Sequence, residues 1–309
     1  MTTLQIAYQQ ELSAFGEEAA HQLWGGDAEL VPLQDFADIT AAVASGTAHR
    51  GVLPIEHTIL GSVQASHDAI DAAPGIVVVA ETVVPSHLCL LGAPDTKLEA
   101  VGDVFCHPVA LAQCSTFFRS NPRITVHSVL DTGASVVDVE ALSDPQFAVV
   151  ASRVALLTYE LTLVAPDIQN RPDAQTRFVG ISAERQVMPA GTPVRTTVLV
   201  TIGDVPGELL HALAPLASHG VNIRRLEGRP TGEPWSYRFF VEFDHESGDT
   251  EIEDVLAEVG SAGRDLPGAI CVGSAPIHAG TQGVADRLAG GRAQSRRSTS
   301  GALIVPRER

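Results

Sequence analysis

The stretch RPDAQTRFVGIS, residues 171–182, sets a hydroxyl, a guanidinium and an aromatic ring side by side as Thr176, Arg177 and Phe178. Asn170, Pro172 and Asp173 are turn residues, and Phe178, Val179 and Ile181 read as a buried strand. Thr176 and Arg177 are therefore predicted where a loop enters a strand, a position at which α/β folds expose functional groups. A hydroxyl donor next to a carboxylate clamp suits an anionic substrate. The plainer alternative is that the pair only opens the strand, and the surrounding chain has to decide between them.

On either side of this stretch, short apolar runs alternate with helical patterns. Residues 4–8, 29–32 and 51–54 read as strands, and 15–24, 36–45 and 63–72 as helices. That spacing predicts parallel βαβ units, with strands short and apolar because helices cover both faces. After a long β-branched run, 75–84, a second series follows. Its strands are 87–91, 103–106, 124–128 and 147–151, and its helices 111–118, 135–142 and 152–159. Two similar halves joined by extended strands suggest two lobes around a cleft. From Val194 the order becomes strand 196–204, helix 207–219, strands 222–229 and 236–244, helix 251–259 and strand 269–273, the ferredoxin-like βαββαβ arrangement. The expected division is 1–185 for the two lobes, 186–194 for a linker, 195–275 for the βαββαβ domain and 276–309 for a tail. The tail is rich in Gly, Ser, Arg and Ala and is expected to be disordered.

The composition fits this plan. A chain of 309 residues accommodates two or three domains, and 45% hydrophobic with 18% charged residues is an ordinary globular balance. No run approaches the roughly 18 apolar residues of a membrane helix, and MTTLQIAYQQ has neither a basic nor an apolar leader region, so a soluble cytoplasmic protein is expected. A net charge of -17 argues against a nucleic-acid partner, since phosphate binding needs a basic face. Cys89, Cys106, Cys114 and Cys271 show no metal-ligand spacing and read as buried free thiols, with no metal and no cofactor expected.

In such folds ligands collect beyond the carboxyl ends of strands. The strand ending at Pro54 runs into Glu56, His57, Thr58, Gly61 and Ser62; the next lobe opens at His87; strand 103–106 ends at His107 and Pro108. Strand 124–128 leads to Asp131, Thr132, Gly133 and Ser135, so three helix N-termini are predicted toward one cleft. Each can equally be a simple cap.

The segments GVLPIEHTILGSV (51–63), HPVALAQC (107–114), DTGASVVDV (131–139), TRFVGIS (176–182) and PGELLHALAPLASHGVNIRRLEGRP (206–230) run in a familiar order. Through them the chain resembles the prephenate dehydratases of phenylalanine biosynthesis over nearly all of 5–274. The resemblance implies a two-lobed, periplasmic-binding-protein-like catalytic region followed by a ferredoxin-like ACT domain that binds phenylalanine between subunits of a homodimer or homotetramer. It implies cofactor-free conversion of prephenate to phenylpyruvate, with the threonine of TRF, here Thr176, as proton donor beside Arg177 and Phe178. Glu56, His57, Thr58, Gly61, Ser62, His87, His107, Thr132 and Ser135 are then expected to bind substrate. Gly207, Glu208, Leu209, Asn222, Leu226, Glu227, Gly228, Arg229 and Pro230 are expected to bind phenylalanine.

This chain departs from the family at several of these places. His57 and Thr58 stand for the usual Asn-Ser, Val109 for a glutamine, Ala174 for an asparagine, Gly228 for a serine and Glu208 for an alanine. His57 reads either as a donor in the cleft or as a histidine satisfied by a backbone carbonyl. Two other readings stay open: a prephenate decarboxylase that does not aromatise its substrate, and a non-catalytic amino-acid or small-anion sensor.

Overall fold

The computed structural model describes residues 3–10, 13–129, 132–157, 159–231, 233–234, 236–249, 252, 254–256, 258 and 270–276. The expected tail lies outside these residues beyond Pro276, as do four of the nine residues of the helix expected at 251–259.

The first lobe contains β1 (Gln5–Gln9), α1 (Ser13–Trp24), β2 (Glu29–Leu33), α2 (Phe36–Ala44), β3 (Arg50–His57), the short β4 (Gly61–Ser62), α3 (Gln64–Asp71) and β5 (Val77–Pro85). The second contains β6 (Leu88–Gly92), β7 (Asp103–Cys106), α4 (Pro108–Gln113), α5 (Ser115–Ser120), β8 (Thr125–Ser128), α6 (Thr132–Leu142), β9 (Phe147–Ser152) and β10 (Thr162–Ala165). The chain then returns to the first lobe as β11 (Gln175–Ser182) and continues into β12 (Pro193–Thr201), α7 (Glu208–Ser218), β13 (Ile223–Pro230), β14 (Tyr237–Glu246) and β15 (Ile270–Pro276). The second lobe is a five-stranded sheet, β10-β6-β9-β7-β8. The other sheet runs β13-β14-β12-β15-β5-β11-β3-β1-β2, so the C-terminal strands continue the sheet of the first lobe.

The two-lobed plan and the C-terminal strand order agree with the sequence reading, with four corrections. The first lobe is not purely parallel: β1 pairs parallel with β2 and β3, but β11 lies antiparallel between β3 and β5. That position belongs to a strand returning from the second lobe, which no local pattern reveals. The helix predicted at 111–118 is two short ones broken at Cys114, and the one predicted at 152–159 is a 3₁₀ turn, Arg153–Leu157. Strand β10 was not foreseen.

Central β11 is tightly seated. A Cβ added at Gly180 would stand 2.6 Å from the Trp24 ring, so only glycine lets α1 lie this close to the strand. Phe178 and Ile181 are fully buried, in cores shared with β1, β3 and α2. Cys89, Cys106 and Cys114 are buried free thiols, and burial pushes both Cys106 and Cys114 up to about 12; the side chain of Cys271 lies outside the described residues.

Candidate active site

Register decides which side chains meet. In the β11–β3 pair Thr176 stands opposite His57 and Arg177 opposite Glu56. Because alternate residues of a strand face opposite sides, Thr176, Phe178 and His57 share one face, and Arg177 and Glu56 the other. A bulge between Arg177 and Phe178 interrupts this pairing opposite Pro54, which has no N–H to donate.

The first face closes one side of a cavity of about 720 Å³ between the lobes. Thr176, Phe178, His57, Gly61 and Ser62 line it from the first lobe, and His107, Val109 and Gln113 from the second. The Thr176 hydroxyl lies 3.1 Å from that of Ser86, which is buried and also lines the cavity. Val63, His107 and Ala134, at the starts of α3, α4 and α6, line it as well, as expected of the three helix N-termini.

His57 is held in one tautomer. Its Nδ1 accepts from the backbone N–H groups of Ile59 at 3.1 Å and Leu60 at 3.2 Å, which leaves the proton on Nε2. Burial pushes the pKa of His57 down, against a smaller opposing effect of Gln113, so the ring is neutral near pH 7. Its Nε2 and the Gln113 Oε1 are both buried and meet no partner of good geometry beyond their loose approach to one another. The Nδ1 is thus satisfied by backbone N–H groups rather than by a carbonyl, and the ring, which lines the cavity, keeps its proton on a buried Nε2.

Tyr8, Glu17, Ser86 and Gln113 line the cavity although the sequence reading did not select them. The Tyr8 hydroxyl donates to Glu17 at 2.7 Å. Tyr8 lies one residue before the carboxyl end of β1, where ligands gather, so its position was open to foresight. The role of Ser86 was not, since it depends on the β5–β11 register.

Several selected residues lie elsewhere. Arg177 is 7% exposed and outside the cavity lining; its guanidinium donates to Glu56 at 3.3 Å, Glu81 at 2.9 Å and Glu242 at 2.7 Å. It is an ion-pair hub and not the carboxylate clamp expected from its place beside Thr176. Burial alone would lower its pKa, but Glu242, Glu81 and Glu56 outweigh that and push it up. Glu56 faces Arg177 and not the cleft. Thr58 is exposed and its hydroxyl accepts from the Gln175 N–H at 3.0 Å. His87 is exposed and paired with Asp167 at 2.9 Å. Ser135 is buried in α6 and is not among the lining residues, and the side chain of Thr132 lies outside the described residues.

In the C-terminal domain, Gly207 takes a left-handed conformation at φ 89° before α7, and Glu208 turns back to accept from the Gly203 N–H at 2.5 Å. Leu209 is half-buried; Asn222, Leu226, Gly228 and Pro230 are exposed. Glu227 accepts from Ser62 and Arg225, and Arg229 forks onto Asp68 of α3 with Nη2 at 2.5 and 2.6 Å. Charged groups of this segment therefore contact the first lobe of the same chain.

Comparison with known proteins adds the following. The family model described as prephenate dehydratase matches residues 6–186, and that described as ACT domain matches 196–261. The bifunctional chorismate mutase/prephenate dehydratase of Aquifex aeolicus (strain VF5) is 34% identical over 258 residues, 83% of this chain and 70% of that protein. A structure of prephenate dehydratase from Arthrobacter aurescens in complex with L-Phe is similar with a TM-score of 0.80 at 27% identity, covering 95% of this chain and 99% of the other. One described as GqqA, a novel type of quorum quenching acylase, is similar with a TM-score of 0.78 at 26% identity, covering 88% and 98%.

Proposed function

The chain belongs to the prephenate dehydratase family, and from that premise we propose that Thr176 protonates the ring hydroxyl of prephenate as it departs. Hydroxide is a poor leaving group, and a positioned acid contributes roughly 10²- to 10⁴-fold. The Thr176 proton leaves with the hydroxyl as water. The electrons of the bond to the departing carboxylate complete the aromatic ring, carbon dioxide is released, and phenylpyruvate remains. Thr176 regains its proton from solvent, with the Ser86 hydroxyl as the neighbouring donor. The driving force is the substrate's own, so the protein mainly orients prephenate and excludes water.

The observation that carries this reading is the Thr176–Ser86 hydroxyl pair at 3.1 Å, on the cavity-lining face that Thr176 shares with His57. Among the described residues no Arg or Lys lines the cavity. The two substrate carboxylates then fall to the Nε2–H of His57, to His107 and to backbone N–H groups. Arg177 takes no part in holding them. Incubating the purified chain with prephenate and following phenylpyruvate absorbance in alkali tests the reading. A decarboxylated product that keeps the ring hydroxyl would establish the decarboxylase instead, and absence of turnover the sensor.

Feedback control belongs to the same reading, supported by the ACT match and the L-Phe-bound relative. Phenylalanine binds between ACT domains of a homo-oligomer, near Gly207 to Leu209 and Leu226 to Pro230. The Glu208 carboxylate is engaged with its own loop, so it is less available to a ligand ammonium. Titration calorimetry with phenylalanine, alone and with a substrate analogue, checks this: coupling of about 1 to 3 kcal/mol must be reciprocal. The compartment in this reading is the cytoplasm.

A further inference from the structure

The ladder of β11 with β3 is broken by a bulge at Arg177 and Phe178, one residue beyond Thr176. Where backbone pairing is interrupted, side-chain anchorage takes a larger part in aiming the strand. The anchor is Arg177, held by Glu56 and Glu81 of the first lobe and by Glu242 of β14. Glu242 is 3% exposed and also meets Arg225 at 3.4 Å. Arg225 donates at 2.8 Å to His67 and bonds Ser62, a cavity-lining residue, together with Glu227. The C-terminal domain thus reaches both the back of the acid-bearing strand and the rim of the cleft.

We propose that Glu242, contributed by the ACT domain, is a positioning residue for Thr176 and acts through Arg177. A guanidinium offers a fork of donors, and Glu242 makes the shortest contact to its Nη2, at 2.7 Å against 3.2 Å for Glu56. Loss of that carboxylate lets the Arg177 head group shift toward Glu56 and Glu81 and loosens β11 on its β3 side, where the ladder is broken, while the ladder with β5 still holds the other edge. This inference rests on Thr176 being the acid, and the comparison of variants separates the two.

The experiment uses the full chain. Glu242→Gln keeps shape and removes charge; it should lower kcat about 5- to 150-fold with KM little changed, the range of a typical coupling free energy. Amide hydrogen exchange should quicken in β11 around Gln175 to Phe178. Glu242→Asp should recover part of the loss. Arg238→Gln breaks a contact between the same two regions, the pair with Asp71 at 2.9 Å, without touching Arg177, and should leave kcat unchanged. Should Glu242→Gln not fold, Glu242→Asp decides, with a smaller loss in kcat expected. Unchanged kcat per folded molecule in the Glu242 variants, or an equal fall in Arg238→Gln, overturns the proposal. A wild-type chain that does not turn over prephenate defeats the dehydratase reading alone, and β11 exchange in Glu242→Gln then judges the positioning role by itself: faster exchange upholds it and unchanged exchange overturns it.

Discussion

One peptide bond separates Thr176 from Arg177, yet the two face opposite kinds of surroundings. On the Thr176 face, His57 Nε2 and Gln113 Oε1 are buried without partners of good geometry beside a cavity. On the Arg177 face, guanidiniums and carboxylates are matched along a seam: Arg177 with Glu81 and Glu242, Arg195 with Glu81 and Asp244, Arg224 with Asp244. An unmet buried polar group costs about 1 to 3 kcal/mol, which a fold tolerates where a ligand will meet it. On the proposed reading the unsatisfied face is the one that binds, while the matched ion pairs join the C-terminal strands to the first lobe.

The largest test of this contrast is Arg177→Met. Removing one partner of a buried ion pair strands the others, so unfolding should cost about 3 to 5 kcal/mol less, seen as a lowered denaturant midpoint. A variant as stable as the parent would dissolve the distinction between the faces. The Glu242 carboxyl sharpens it through pH. Burial would raise its pKa, but Arg177, Arg225 and Arg195 outweigh that and hold it below the usual carboxylate range. Its contribution is thus complete above the unfolded pKa of about 4.5 and is lost as pH falls through the lower folded value.

On the other face, Ser86→Ala removes one hydroxyl contact to Thr176. At about 0.5 to 1.5 kcal/mol for such a bond, kcat should fall a few-fold with little change in KM. A large rise in KM instead would make Ser86 a substrate ligand. His57→Asn should leave activity at pH 7 nearly intact, because on the proposed reading the neutral imidazole serves as a donor and the asparagine amide can replace it. Since burial depresses its pKa below 6.5, the wild type should lose both activity and stability as pH falls beneath that value, and the Asn variant should be flatter. Identical pH profiles would remove His57 from the cleft chemistry. The smallest effect concerns Cys106 and Cys114. Thiols pushed up to about 12 by burial should resist alkylation in the folded chain at pH 8, and modification at the wild-type rate of a free thiol would contradict the packing.

Much of this was legible in the sequence because short apolar runs bounded by turn residues place strands reliably, as at β7 and β13. Thr176 and His57 were reached through their motifs. Arg177 and Glu56 were misplaced because they were grouped with their neighbours by sequence adjacency, while a strand puts neighbours on opposite faces. The sequence pattern marks the strand only from Phe178, whereas β11 starts at Gln175 and so imposes that alternation on Thr176 and Arg177 as well. The partners Glu81 and Glu242 were not legible, since they arrive from β5 and β14, and β11 sits between β3 and β5 only because the chain returns from the other lobe.

The central claim is that the acid is Thr176 and that its neighbour supports the fold. Steady-state turnover of prephenate by Thr176→Ala, Thr176→Ser and Arg177→Lys, each checked for folding, addresses it directly. Thr176→Ala should lose roughly 10²- to 10⁴-fold in kcat, with stability lowered by no more than about 0.5 to 1.5 kcal/mol, the worth of its contact with Ser86. Thr176→Ser should be milder, and Arg177→Lys should lose stability while KM for prephenate stays near the wild-type value. A Thr176→Ala enzyme within a few-fold of wild type, or an Arg177→Lys enzyme of full stability and greatly raised KM, would contradict the account.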